Sequence, residues 1–563
     1  MRHIRRNRVK QLCYYSGNHY ALVESPETDY LWRLFTEKSW KLQNRIARLE
    51  TVENFMVLLP TQGFGRSYWL LNGDNLSEQK FSNEPFYLGD NFLLKRFKLN
   101  RVTEYKLFKP ASMMLDDSSG ESIPKELDPL VIVAANKEFI LINQSIGLWE
   151  NTLICYRRVG QANWDKQVVP VTEYCHTKFL GWLNKYQVLI ATDFDSDYQR
   201  LFKWDLRKVI LSRWNDLQRD DFLYVDSELC VSNHEGNCQI TSSNDSYETG
   251  FCEQISVGSD RLVLLAGQPA TSQKIWSLKL NRSIILGSHV EPLEPETYDL
   301  GPGSQLIPSS DFPFTWVSES FHYGQLVRFI PDCEPKASVV FIHGGPGLCE
   351  GLRMRELHVE LLVNGFEIIS YDGSGSGGFG KSHRNRLNKK HGDLDLEELR
   401  EIIVEKAKVK SVFLLGESYG GYLALKAGLE ISHYLTGIIN FYGVTDWVDA
   451  MLRLNHLSDS RRSKIHDIFH DPNSRSGREY LEKISILPRA SELSIPILTI
   501  HGTLDRSVPI DNSESLYQSI STTHKLNQLL ILEDEGHGIT KYINRCKVAS
   551  ECLKFLNACL RAN

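Results

Sequence analysis

Residues 416–421 read Gly-Glu-Ser-Tyr-Gly-Gly and join two segments of opposite character. Before them, Ser411-Val-Phe-Leu-Leu is a continuous apolar run, the pattern of a strand buried on both faces. After them, Tyr422 to Leu429 reads as a helix. A chain that passes from strand to helix in so few residues needs a tight turn. Glycines flank Ser418 because a Cβ beside it would strike neighbouring strands. A G-x-S-x-G turn in this setting holds its serine exposed at the carboxyl edge of a sheet, as a nucleophile. The helix N-terminus behind Ser418 favours developing negative charge.

The surrounding sequence repeats the alternation. Ser338-Val-Val-Phe-Ile runs into His343-Gly-Gly-Pro-Gly, and Phe366-Glu-Ile-Ile-Ser-Tyr runs into Asp372-Gly-Ser-Gly-Ser-Gly-Gly. Leu396, Leu399, Ile402 and Ile403 share one face of a helix over 393–407. Gly437-Ile-Ile-Asn-Phe-Tyr, Pro496-Ile-Leu-Thr-Ile-His and Leu529-Leu-Ile-Leu are further apolar runs, and a last helix covers about Tyr542 to Leu560. Continuous apolar strands divided by helices predict a doubly wound, mostly parallel sheet over residues 311–563, an α/β-hydrolase domain.

A serine hydroxyl needs a base, and the base needs an orienting carboxylate. In this fold both follow the serine in the chain. Asp505 follows the run ending at His501, and His537 lies in Glu535-Gly-His-Gly just beyond Leu532. Both project from the same sheet edge as Ser418, where ligands bind in open α/β sheets. Asp534 is the nearest rival carboxylate and suits a loop cap better. The oxyanion needs backbone N–H donors. Tyr419, next after the serine, is one. The other comes from the loop after His343, with Gly345 preferred over Gly344. His343 itself, at a strand end before the serine, reads as structural or as support for the oxyanion loop.

Residues 1–310 read differently. Short runs rich in aromatic and aliphatic residues, split by polar turns, begin at Cys13, Val52, Asn91 and Asp128, about 38 residues apart. Several share one layout: an apolar strand, a polar turn, then a strand carrying an aromatic residue and a leucine. That period predicts an all-β propeller of about seven blades. A large β-sandwich or two small β domains would also accommodate such strands. No catalytic motif occurs in this part.

The C-terminal segments resemble the catalytic domain of the prolyl oligopeptidase family of serine peptidases, which includes dipeptidyl peptidases and acylaminoacyl peptidases. The matching segments are His343-Gly-Gly-Pro, Tyr371-Asp-Gly-Ser-Gly-Ser-Gly-Gly-Phe-Gly, His391-Gly-Asp-Leu-Asp, Gly416-Glu-Ser-Tyr-Gly-Gly-Tyr, Gly443-Val-Thr-Asp-Trp, His501-Gly-Thr-Leu-Asp-Arg-Ser-Val-Pro and Glu535-Gly-His-Gly. They run in family order. The resemblance implies an N-terminal propeller that caps the active site. It also implies an S1 pocket at Tyr419, Val444, Trp447 and Val508. Three positions depart from the pattern. Ser374 stands where the family has arginine, and His343 where some members have an oxyanion tyrosine. Ala450 lies where dipeptidyl peptidases carry pocket tyrosines. These departures weigh against strict proline specificity and dipeptidyl removal.

The expected activity is hydrolysis of short peptides through an acyl-enzyme. An esterase, an amidase or a peptide cyclase would use the same scaffold, and a non-catalytic propeller that binds a partner is the remaining alternative. The chain has a net charge of -6, which argues against nucleic-acid binding by bulk charge. No apolar run reaches the ~18 residues of a membrane span. Its eleven cysteines are scattered without a Cys-x-x-Cys pair, which fits reduced thiols in the cytoplasm. No metal or cofactor motif occurs, so none is expected. The expected partner is a short peptide or a small acyl or amide substrate, and the expected assembly a monomer or homodimer.

Overall fold

The computed structural model describes residues 314–562 except 322, 352 and 354, and, between residues 8 and 279, the strands with part of their connections. The boundary expected at 310 falls among residues 280–313, which lie outside the described residues.

An eight-stranded sheet occupies the C-terminal part. Its strands are Phe314–Phe321, Gly324–Pro331, Ala337–Ile342, Phe366–Asp372, Val412–Glu417, Gly437–Phe441, Ile497–Gly502 and Gln528–Leu532. Counted along the chain, they lie in the order 1-2-4-3-5-6-7-8. The second strand is antiparallel to the first and the fourth, and every later pairing is parallel. Among the described residues the connections hold nine α-helices. These are α1 (Glu356–Val363), α2 (Lys381–Asn385), α3 (Leu394–Ala407), α4 (Tyr419–Glu430), α5 (Trp447–Leu452), α6 (Asp459–Ile468), α7 (Arg475–Ile484), α8 (Asp511–Ile520) and α9 (Tyr542–Ala562).

Strand periodicity divides the core in two. Val340, Ile342, Leu414, Ile438 and Ile497 face one side, where they pack against α3, α4, α7 and α8. Val339, Phe341, Phe413, Leu415, Ile439 and Ile500 face the other, against α1 and α9. Both faces are covered, which is why these strands read as unbroken apolar runs rather than alternating ones. The sheet is mostly parallel, as expected. One detail differs: α4 starts at Tyr419, three residues before the expected Tyr422. Gly420 and Gly421 are poor helix formers alone, but packing against the sheet overrides that propensity. A Cβ on Gly420 would overlap the Ile342 carbonyl, and one on Gly416 the Gly420 carbonyl.

The N-terminal part forms small antiparallel sheets in succession, over residues 8–41, 46–80, 85–122, 130–168, 177–219, 221–248 and 251–279. Among the described residues, six have four strands and the last has three. Within each, every strand pairs with the next along the chain. Strand Arg8–Tyr15 of the first sheet lies against Ile46–Val52 of the second and against Phe251–Val257 of the last. No described helix is long and apolar enough to cross a membrane.

Candidate active site

Ser418 occupies the turn between Val412–Glu417 and α4, with φ 55° and ψ -114°. A non-glycine residue at positive φ is strained and persists only where its surroundings fix it. Here the Ser418 N–H donates to the Phe441 carbonyl (2.9 Å) and its own carbonyl accepts the Tyr422 N–H (3.1 Å). The turn is thus anchored to the neighbouring strand and to its own helix.

His537 and Asp505 reach Ser418 from the loops after the last two strands. The His537 Nδ1–H donates to Asp505 Oδ2 at 2.7 Å, and its Nε2 lies 3.0 Å from Ser418 Oγ, placed to accept the hydroxyl proton. The structure therefore brings the three sequence-selected residues into one hydrogen-bonded run. The Asp505 carboxylate is buried. Its other oxygen, Oδ1, accepts the N–H groups of Ser507 (2.8 Å) and Val508 (2.9 Å). Burial alone would raise its pKa, but hydrogen bonds from His501, His537 and the Val508 N–H hold it well below the usual carboxylate range. Asp534, the rival carboxylate, is exposed and lies beside Lys541.

The loop after His343 packs against Ser418. A Cβ on Gly344 would lie 3.3 Å from Ser418 Cβ. Gly345 follows at φ 43°, and its carbonyl accepts the Leu348 N–H (3.0 Å). Asp372 pins the far end by accepting the N–H groups of Glu350 and Gly351, both at 2.8 Å. His343 is buried, with Nε2 at 2.9 Å from Ser376 Oγ and 3.4 Å from Asp372 Oδ1. These bonds point it into the loop's own support.

Tyr419, Val444, Trp447 and Val508 are all buried in one apolar cluster. The Tyr419 ring lies 5.9 Å from Trp447, and Trp447 stacks on Phe469 at 4.9 Å. Ala450 is partly buried against the same cluster.

Four features were not singled out from sequence. Tyr442, at φ 41°, sets its ring 4.7 Å from that of His537. His501 brings a second imidazole to 3.4 Å from Asp505 Oδ2. Arg355 joins Glu417, the neighbour of Ser418, at 2.8 Å to Glu350 in a bidentate pair. Burial would raise Glu350, but the Arg355 guanidinium holds it down at about 2. Tyr442 and His501 both stand at carboxyl ends of strands, which was the one available signal. Arg355 carried none.

The fourth is Asp395, which accepts the Tyr419 hydroxyl at Oδ2 and the Gly392 N–H (2.8 Å) and Leu396 N–H (3.0 Å) at Oδ1. Burial pushes it up to about 7 despite those bonds. Its folded pKa therefore exceeds the unfolded value near 3.9. The stability this group contributes is fully present below about pH 4 and is lost as pH rises through about 7. Relative to Asp395→Asn, the wild type should lose about 1.4 kcal/mol per pH unit at the steepest point of that interval. Thermal midpoints of both proteins at pH 5, 6, 7 and 8 check this. A gap between them that stays constant with pH would refute it.

The prolyl oligopeptidase family model matches residues 354–563. Among curated proteins, the chain is 26% identical over 232 residues to dipeptidyl peptidase family member 6 of Caenorhabditis elegans, covering 40% of this chain and 31% of that one. It is 24% identical over 232 residues to dipeptidyl aminopeptidase BIII of Pseudoxanthomonas mexicana, covering 40% and 34%. The matched segment thus spans about a third of these relatives' length. Solved structures resemble the whole chain. A puromycin-hydrolyzing peptidase of Mycobacterium tuberculosis superposes with a TM-score of 0.77 at 14% identity, covering 99% of this chain and 95% of that one. An acylaminoacyl peptidase of Pyrococcus horikoshii gives 0.71 at 14% identity, covering 98% and 95%.

Proposed function

We propose that this chain, whose residues 354–563 are a domain of the prolyl oligopeptidase family, is a serine peptidase that hydrolyses short peptides through an acyl-enzyme on Ser418. The observation that carries the reading is the run from Asp505 through His537 to Ser418, at 2.7 and 3.0 Å. His537 Nε2 takes the Ser418 proton as Oγ attacks the scissile carbonyl. The N–H groups of Tyr419 and Gly345 stabilise the oxyanion. Tyr419 suits this role as the first residue of α4, because the first N–H groups of a helix lack partners within it. His537 then protonates the leaving amine, and water attacks the acyl-enzyme by the reverse path. Asp505 holds the imidazole with its proton on Nδ1. Tyr419, Val444, Trp447 and Val508 line the pocket for the acyl side chain.

The N-terminal sheets would be the blades of a propeller over residues 1–310, capping the α/β-hydrolase domain of residues 311–563. The approach of the first sheet to the last supports a closed ring. A ring over the site restricts entry to short or flexible chains.

The test is a fluorophosphonate probe on the folded wild-type protein, followed by p-nitroanilides of amino acids, acylamino acids and dipeptides beside matched p-nitrophenyl esters. Labelling together with anilide cleavage is the expected result. Cleavage of esters alone would replace the peptidase reading with an esterase. Folded protein that neither labels nor turns over any substrate would end both.

A further inference from the structure

Arg545 stands in the first turn of α9, where the helix dipole disfavours a positive charge. Its partners account for that placement. Nε donates to Glu356 at the start of α1 (3.1 Å), and Nη1 donates both to Glu24 (3.4 Å) and to the Thr540 carbonyl. Glu24 ends strand Asn18–Glu24 of the first N-terminal sheet and is only 5% exposed. One guanidinium therefore ties a carboxylate from the N-terminal sheets to a carbonyl three residues past His537.

That segment is held from inside as well. The buried Glu535 carboxylate accepts the Thr540 N–H (3.1 Å) and hydroxyl (2.9 Å), the Lys541 N–H (2.9 Å) and the Asn544 amide (2.9 Å). The Glu535 carbonyl accepts the Leu504 N–H (2.8 Å), next to Asp505. His537 thus rides on a short loop whose beginning is fixed by Glu535. Its exit at Thr540 is held by Glu535 at the N–H and hydroxyl and, at the carbonyl, by an arginine whose charge is shared between Glu24 and Glu356. A buried charge deprived of a partner rearranges or draws in water. The carbonyl it was holding then moves with it.

We propose that Glu24 is a positioning residue for the reaction, acting through Arg545 and the Thr540 carbonyl to hold the His537 loop in register with Ser418. The N-terminal sheets then contribute to assembling the base as well as to controlling access. This rests on the reading of His537 as the general base. The two can fail separately, because loop order is measurable without turnover.

The test compares the full-length wild type with Glu24→Gln and Asp197→Asn. Asp197 belongs to a second contact between the same two parts of the chain, accepting the Ser382 N–H at 2.5 Å and away from the His537 loop. Two quantities are read: kcat and KM on the best anilide, and hydrogen–deuterium exchange of the peptide covering 535–541. Displacements of about 1 Å can cost up to ~100-fold in rate, so Glu24→Gln should lower kcat about tenfold or more with KM unchanged. Exchange over 535–541 should quicken in Glu24→Gln and stay at the wild-type rate in Asp197→Asn. Wild-type kcat and exchange in Glu24→Gln would overturn the proposal. So would equal quickening in Asp197→Asn, which would mean general undocking. A wild type inert to every substrate, with faster exchange in Glu24→Gln, would sink the peptidase reading and leave the loop's dependence on Glu24 standing.

Discussion

Ser418→Ala is expected to abolish fluorophosphonate labelling and to lower kcat on anilides by about 10⁶-fold, the scale seen when a serine nucleophile is removed. The substitution takes away one oxygen and leaves a Cβ in the same strained backbone. Closure of the strand-to-helix turn sets that strain, through the Phe441 carbonyl and the glycines at 416 and 420. Alanine meets the same constraint, so the thermal midpoint should stay at the wild-type value. The proposed Tyr419 and Gly345 donors and the proposed pocket remain, so residual catalysis of about 10³–10⁴ over water is expected. Intact-mass analysis after labelling gives the answer directly. If the alanine variant still takes up one probe molecule, the nucleophile lies elsewhere and the role given to Ser418 falls. A kcat loss accompanied by a collapsed thermal midpoint would instead point to a turn that tolerates no change.

What could be read from sequence followed the range of the constraint. The elbow at 416–421 is written locally, because strand, turn and helix are consecutive and steric demands select the residues. The runs at 338–342, 366–371 and 437–441 were legible as strands because both faces are covered, leaving no polar side to break the pattern. Asp505 and His537 were legible because strand ends in such a sheet converge. The small antiparallel sheets were legible as hairpins. Their placement beside one another depends on contacts such as Arg8–Tyr15 against Phe251–Val257, which no local pattern encodes. The start of α4 lies at Tyr419 rather than Tyr422 because packing against the sheet, which no local pattern encodes, carries Gly420 and Gly421 into the helix. Tyr442 went unread because its role depends on a positive φ that a tyrosine seldom adopts. Arg545 and Glu24 are 521 residues apart in sequence, and nothing near either one signals the other. Asp395 sits in the quoted His391-Gly-Asp-Leu-Asp segment, yet only the fold shows it bonded to the Tyr419 hydroxyl.

Asp505→Asn should cost about 10⁴-fold in kcat, the scale found when the orienting aspartate of a serine triad becomes an amide. The bonding at this site dictates how. The Ser507 and Val508 N–H groups need an acceptor, so the asparagine carbonyl oxygen takes the place of Oδ1. The amide nitrogen must then face His537. It is a donor, so it can meet Nδ1 only when Nδ1 carries no proton. The proton moves to Nε2, which then points a donor at Ser418 Oγ and can no longer accept the hydroxyl proton. The buried negative charge that would stabilise the imidazolium is lost as well. Because the loop bonds survive, the thermal midpoint should fall only by what the ionised carboxylate itself adds, its lowered pKa stabilising the fold at neutral pH. Asp505→Ala should lose comparable activity and lower the midpoint further, since the buried Val508 N–H and the Ser507 N–H would lose this acceptor. The pair of variants therefore separates orientation from scaffolding. Near wild-type kcat in Asp505→Asn would mean that His537 keeps its tautomer without this carboxylate. The nearby His501, 3.4 Å from Asp505 Oδ2, would then be the group to examine for a compensating shift.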